Sequence, residues 1–313
     1  MSILEDKRLM IKIAHMYYEE GVKQSDIARS FGVSRPMISK YLSKAKEQGI
    51  VQIIIHDEDI HPFMALEAKL ERQFNLKEVV CVSSTDNDSI KSRLGEAASN
   101  YLLRMLNGNE SIGVSSGTTL NQVAVAMQVN KHYPDVSFVP LVAGMGDERV
   151  DIHSNSIVAR LAENLGAHFK LLHAPVLVDS KEAKDIIRNQ STIKSVFDTA
   201  HHANIALVGI GGTPQHSTMV KSYLNNKNEF VDYQGIVGDI CYNFIDENGQ
   251  AVNHPWNERV INIDLESLKQ IDLVIGVASG KEKEQAIRAA LKGDLIDVLV
   301  TDDDTAETLL FRK

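Results

Sequence analysis

Five short stretches of this 313-residue chain carry residues able to bind or move charge. Gly113 to Thr119 reads GVSSGTT and lies between a strand-like run and a helix-like one. In such a turn Ser116, Gly117, Thr118 and Thr119 offer backbone N–H groups and hydroxyls to an anion, and the helix dipole adds its pull. Phosphate is the natural guest, although the lysine of a P-loop is missing. Ala143 to Arg149 reads AGMGDER, where Gly144 and Gly146 allow the backbone to approach a ligand and Arg149 can reach a phosphate. With no lysine from Leu141 to Gly146, imine formation with an open-chain sugar is closed to this loop. A third turn, GIGGT, supplies Gly211 and Gly212.

Asp239 sits in GIVGDICYNF, an acid among apolar strand residues. Burying it is costly unless it accepts hydrogen bonds, and sugar hydroxyls can donate them. Lys281 and Lys283, in SGKEKE, open a helix where the dipole disfavours a cation, a conflict that a bound anion resolves. On these residues alone, a capped βα turn and a solvated charged turn stay open as plainer accounts.

A different chemistry is written into Gln24 to Lys46, QSDIARSFGVSRPMISKYLSKAK. Its spacing is that of a helix-turn-helix: a helix over 24–30 with Ile27 and Ala28 inward, a turn at Gly32, and a second helix opening at Ser34. Ser25 is placed to cap the first of these helices and Ser34 the second, and Pro36 is tolerated in a first turn. Ile38, Leu42 and Ala45 repeat at helical spacing and pack inward, leaving Arg35, Pro36, Ser39 and Lys40 outward. Arg35 can fork onto a guanine edge, Ser39 can donate to base or phosphate, and Lys23, Lys40 and Lys44 suit phosphates. Lys23, Gln24, Ser34, Arg35, Pro36, Ser39, Lys40 and Lys44 are therefore the candidate DNA-binding residues.

These stretches need elements to hold them. A helix over 8–18 carries Leu9, Ile13, Met16 and Tyr17, and a strand is expected at Ile50 to Ile55 after Gly49. The charged run His56 to His61 marks a boundary, giving a DNA-binding domain over 1–56 and a larger domain over 57–313. A helix over 62–75 sets Phe63, Leu66, Leu70 and Phe74 on one stripe. Strands then follow at 78–83, 111–115, 136–142, 169–173, 205–210, 235–244, 273–277 and 298–302. Helices alternate with them at 88–106, 118–128, 152–166, 182–200, 282–292 and 303–311. Repeated βα units of this kind predict a parallel, doubly wound α/β sheet. In such sheets ligands bind at the C-terminal ends of the strands, where the three glycine or hydroxyl turns fall.

Net charge is −9, yet residues 1–50 carry +3 and the remainder −12, so a basic head precedes an acidic body. No apolar run approaches the roughly 20 residues of a membrane span. The opening MSILEDKRLM has no apolar core, so no secretion signal is expected. Cys81 and Cys241 lie in strand-like runs and read as reduced, buried thiols of a cytoplasmic protein. Among the eleven histidines, His153, His173, His201, His202, His216 and His254 have no metal-ligand spacing, so neither a metal nor another cofactor is expected. Trp256 reads as packing. Asp239 is the one candidate base for sugar isomerisation and has no evident second acid–base partner, so no catalytic residue is assigned.

Taken together, the head QSDIARSFGVSRPMISKYLSKAKEQGIV, then GVSSGTT, ALVGIGGT, VGDICYNFID and VTDDDTAETLL resemble the SorC family of bacterial transcriptional regulators over essentially the whole chain. The resemblance implies a helix-turn-helix head and a Rossmann-like, sugar-isomerase-like effector domain with a mainly parallel sheet. It implies control of a carbohydrate-catabolism operon by a phosphorylated sugar or sugar alcohol. It also implies double-stranded operator DNA as partner and cytoplasmic homo-oligomers, tetramers built as dimers of dimers. By motif, Ser116, Gly117, Thr118 and Thr119 would hold the phosphate, Gly144 and Gly146 would line the loop, Asp239 would bind hydroxyls, and Lys283 would meet a phosphate. Where two adjacent glycines commonly follow the third strand, this chain has AGMG. The alternative is a sugar-phosphate isomerase or deaminase carrying a DNA-binding head.

Overall fold

In the computed structural model the described residues are 7–53, 62–85, 89–128, 131–144, 149–212, 216–217, 220–221 and 233–311. The chain divides into two compact units, Met1–His61 and Pro62–Lys313, and the boundary expected after residue 56 falls outside the described residues.

The first unit is built on α1 (Lys7–Tyr18), α2 (Gln24–Phe31) and α3 (Arg35–Glu47). Its core joins Met10, Ile13 and Ala14 of α1 to Ile27 and Ala28 of α2 and to Ile38, Tyr41, Leu42 and Ala45 of α3. The α1 stripe is thus turned from the expected one: Leu9, Met16 and Tyr17 only flank the core. Gly32 ends α2 at φ 63°, and its N–H closes onto the Ala28 and Arg29 carbonyls. That left-handed cap favours glycine because a Cβ is strained there. Ser25 does not cap α2, whose N-cap position is Lys23. Ser34 does occupy the N-cap of α3, but its side chain makes no capping bond. The expected strand at Ile50 is absent from the described residues 50–53. The Ile50 and Val51 N–H groups both bond to the Ala45 carbonyl instead, which closes α3 and packs both side chains against the head core.

The second unit begins with α4 (Met64–Phe74), β1 (Glu78–Val82), α5 (Ile90–Met105), β2 (Ser111–Val114), α6 (Thr118–Ala126) and β3 (Ser137–Pro140). It continues with α7 (Ser154–Leu165), β4 (His168–Phe169), α8 (Lys181–Arg188), α9 (Ser191–His201) and β5 (Ile205–Gly211). After β6 (Gly238–Ile240) and β7 (Asn243–Ile245) come α10 (Pro255–Arg259), α11 (Leu265–Lys269), β8 (Leu273–Val277), α12 (Glu284–Lys292), β9 (Val298–Asp302) and α13 (Asp303–Phe311). Seven strands form a parallel sheet in the order β1-β9-β8-β5-β2-β3-β4. Successive residues of a strand face opposite sides. Ile205 and Leu207 accordingly join a core with α5, α6 and α7, whereas Ala206, Val208 and Ile210 join the opposite core with α4, α9, α12 and α13. Layers on both faces explain why the central strands are apolar throughout.

Three local expectations differ from the structure. The helix expected over 182–200 is two helices, α8 and α9, separated at Asn189 and Gln190. The strand expected over 169–173 pairs only at His168–Phe169, on an exposed sheet edge. The single strand expected over 235–244 is an antiparallel hairpin of β6 and β7, with Cys241 and Tyr242 as its two-residue turn.

Candidate functional site

In the first unit Lys23, Ser34, Arg35, Pro36, Ser39 and Lys40 are exposed, while Gln24 and Lys44 are half-buried. The burial of Ile38, Tyr41, Leu42 and Ala45 forces this outcome, since residues at 35, 36, 39 and 40 fall on other faces of α3. A helix that is exposed at its N-terminal turns and basic there has the form of a major-groove reader.

In the second unit β2 and β5 are neighbours, and the chain winds away from them in opposite directions, through β3 and β4 on one side and β8 and β9 on the other. Such a reversal opens a crevice at the strands' carboxyl ends. A cleft of about 510 Å³, part of it open to solvent, lies there. Its lining brings together Ser116, Gly117, Thr118, Thr119, Gly211, Asp239 and Lys283 from four separate stretches of chain.

The anion turn is made by β2 ending at Val114 and α6 starting at Thr118. Ser115 donates its N–H to the Leu207 carbonyl, which ties the turn to β5. Gly117, at φ 131°, donates its N–H to the Ile152 carbonyl at 2.9 Å, so this N–H faces protein rather than ligand. The N–H groups of Thr118, Thr119 and Leu120, in the first turn of α6, have no acceptor within the helix and are available as donors to an anion.

Opposite this turn stands Asp239, 6% exposed, with Oδ1 lacking a hydrogen-bond partner. Burial raises its pKa from 3.8 to about 6, against the Ser217 hydroxyl, the Lys283 ammonium and the Tyr242 N–H, which all favour the carboxylate. β5 and β6 run close because residue 211 is glycine: a Cβ there would meet Asp239 Oδ1 at 2.0 Å. Lys283 closes a 3-10 turn, Lys281–Lys283, before α12. Burial lowers its pKa, and the Asp239 carboxylate acts in the opposite sense.

The hairpin turn completes the wall. Cys241 (φ 50°) and Tyr242 (φ 62°) are adjacent non-glycine residues in the left-handed region, and both are buried. Such a two-residue turn matches the twist of a hairpin but ordinarily takes Asn-Gly. Each strained residue costs on the order of 1–3 kcal/mol and persists only if its surroundings hold it. They do. Asn243 Nδ2 donates to the Ile240 carbonyl, Asn262 Nδ2 to the Cys241 carbonyl at 2.7 Å, and Trp256 Nε1 to the Tyr242 carbonyl at 2.8 Å. Trp256 therefore does more than pack. Burial pushes the Cys241 thiol up to about 12, so it stays protonated, and also raises the Tyr242 phenol. Both cysteines are free and buried.

The remaining sequence candidates lie elsewhere. The Gly144 N–H bonds to the Ala174 carbonyl and its own carbonyl accepts from Val176, so its backbone is used in strand-like pairing away from the cleft. Arg149 is exposed and pairs with Asp151 at 3.4 Å. Gly212 and Lys281 do not line the cleft, the first packing on the Glu282 backbone and the second exposed. Gly146 lies outside the described residues. Sequence reasoning missed Ser115, Ser217, His216, Cys241 and Tyr242, all on the cleft wall. The hairpin had no glycine or asparagine pair to announce it. Among the described residues no His, Cys, Asp and Glu group is arranged to hold a metal, and no helix is long and apolar enough to cross a membrane.

Residues 58–311 match the family described as "Putative sugar-binding domain". The sorbitol operon regulator of Klebsiella pneumoniae is 32% identical over 99% of this chain and 100% of its own length. The deoxyribonucleoside regulator of Bacillus subtilis is 32% identical over 98% of each chain. The crystal structure of the full-length sorbitol operon regulator from Klebsiella pneumoniae superposes with a TM-score of 0.69 at 31% identity, covering 97% of this chain and 98% of that one.

Proposed function

This chain belongs to the SorC family of bacterial transcriptional regulators, and from that premise we propose that it is an operator-binding protein whose second unit responds to a phosphorylated sugar or sugar alcohol. Its relatives are named as regulators of sugar and nucleoside operons, which favours a regulator over an isomerase or deaminase. The observation that carries the ligand reading is the cleft at the β2–β5 reversal. Free N–H groups at the start of α6 suit an acceptor-only phosphate, while the unpartnered Asp239 Oδ1 suits a hydroxyl donor. Lys283 adds one half-buried cation to a lining of neutral donors and an acid. A molecule with phosphate at one end and hydroxyls along it satisfies both.

In this reading Ser116, Thr118, Thr119, Asp239 and Lys283 contact ligand, and Arg35, Ser39 and Lys40 contact double-stranded DNA in the major groove. The protein works in the cytoplasm as a homo-oligomer, a tetramer arranged as a dimer of dimers, because the modest charge of one head makes repeated heads necessary for a tight site. The ligand alters operator affinity by binding one arrangement more tightly than another. A thermal-shift screen against sugar phosphates identifies the effector, since a ligand of the native state stabilises it by mass action. Lys283→Ala is then expected to retain operator binding and lose the effector's influence on it. A panel without any stabilising member, or an unaltered effector response in Lys283→Ala, would refute this assignment.

A further inference from the structure

Tyr242 occupies a position that the ligand reading has not used. Its side chain lines the cleft and its phenol oxygen lies 2.5 Å from Ser116 Oγ, in the middle of the anion turn. Its backbone N–H favours the charged form of the nearby Asp239 carboxylate. The two hydroxyls hold two protons but share one hydrogen bond, so one proton is left for a third acceptor. Either hydroxyl can donate, and the greater acidity of a phenol over an aliphatic alcohol favours the phenol as donor. With the phenol donating, the Ser116 proton is left to point into the cleft. Each bond in such a chain polarises the next.

We propose that Tyr242 is a positioning residue for the effector, donating its phenol proton to Ser116 so that Ser116 donates to a phosphate oxygen. This rests on the sugar-phosphate reading and adds a polarised donor chain to it. It also gives the strained turn a purpose. A glycine or asparagine at 242 would relax the backbone but lose the phenol, and the three carbonyl clamps from Asn243, Asn262 and Trp256 hold the tyrosine where it reaches Ser116.

The test uses the full chain, titrated calorimetrically with inorganic phosphate, ribose 5-phosphate and sorbitol 6-phosphate. Tyr242→Phe keeps the ring and removes one oxygen. It is expected to melt like the parent without added probe and to bind the tightest sugar phosphate roughly three- to tenfold more weakly, the range of one hydrogen bond. In a Ser116→Ala background the same change is expected to have little further effect, because the two hydroxyls act as one chain. Placing 3-fluorotyrosine at 242 preserves shape and strengthens the donor, so binding should tighten. This arm reads the same chain should the phenylalanine variant fail to fold. Unchanged affinity in Tyr242→Phe or with 3-fluorotyrosine, or a full Tyr242→Phe loss persisting without Ser116, overturns the proposal and leaves the sugar-phosphate reading standing. Failure of the parent chain to bind any of the three probes overturns both.

Discussion

Replacing Asp239 by asparagine should stabilise the protein at the pH where it works and disable its ligand response. The wild-type carboxyl ionises at 3.8 when exposed and near 6 in the fold, with burial as the main cause and the attraction of Lys283 already opposing it. Each pKa unit corresponds to about 1.4 kcal/mol, so ionising this group in the fold costs about 3 kcal/mol. The folded state binds the proton more tightly than the unfolded one. The stability conferred by the protonated form is therefore complete below 3.8 and is lost as pH rises through about 6. Asparagine mimics the neutral acid. Asp239→Asn should match the parent at low pH and exceed it by up to about 3 kcal/mol at about pH 8. In a unit of this size that corresponds to a melting-temperature rise of roughly 6–12 °C. Urea unfolding of both chains, following the transition of the second unit at several pH values, measures the difference. A gap that does not grow with pH, or a variant less stable than the parent at about pH 8, would refute the view that an incompletely compensated buried carboxylate is kept there for binding.

Three other substitutions probe separate links. Gly211→Ala places a Cβ 2.0 Å from Asp239 Oδ1; the carboxylate must move, and sugar-phosphate affinity measured by calorimetry should fall more than about tenfold, the loss of a charged hydrogen bond. Gly32→Ala forces alanine to φ 63° and should lower the stability of the first unit by about 1 kcal/mol in chemical denaturation followed by circular dichroism. Lys40→Ala, exposed on α3, should weaken operator binding about equally for all sequences and reduce the slope of log affinity against log salt by about 1 per head, whereas Arg35→Ala should relax base preference.

Much of the fold was legible because its signals are local. Ile27, Ala28, Ile38, Leu42 and Ala45 repeat at helical spacing, and the structure buries all of them. The alternation of apolar strands with helices needs only a period and a length to be read, and the parallel sheet follows from it. The polar turns after β2 and β5 were visible as Ser, Thr and Gly clusters. The 235–244 run was misread because its turn residues, Cys241 and Tyr242, belong to types that avoid positive φ. Besides the neighbouring Asn243, partners further along the chain, Asn262 and Trp256, hold them there.

The sequence by itself determined which residue types were available: a basic helix with an outward Arg35, a hydroxyl turn, an acid in an apolar run and a lysine at a helix start. Strand order decided which of them meet. Because β5 inserts between β8 and β2, the turns after β2 and β5 face one crevice, and Gly211 and Asp239 line the same cleft as Ser116 and Thr118. Gly144, equally plausible as a string of letters, spends its backbone on pairing with Ala174 and Val176. Tyr242 reaches Ser116 across 126 positions of chain because a strained turn is clamped by three buried side chains. Hydrophobic periodicity is encoded within a few residues, but such clamps depend on hydrogen bonds between segments whose separation in sequence carries no trace of their contact.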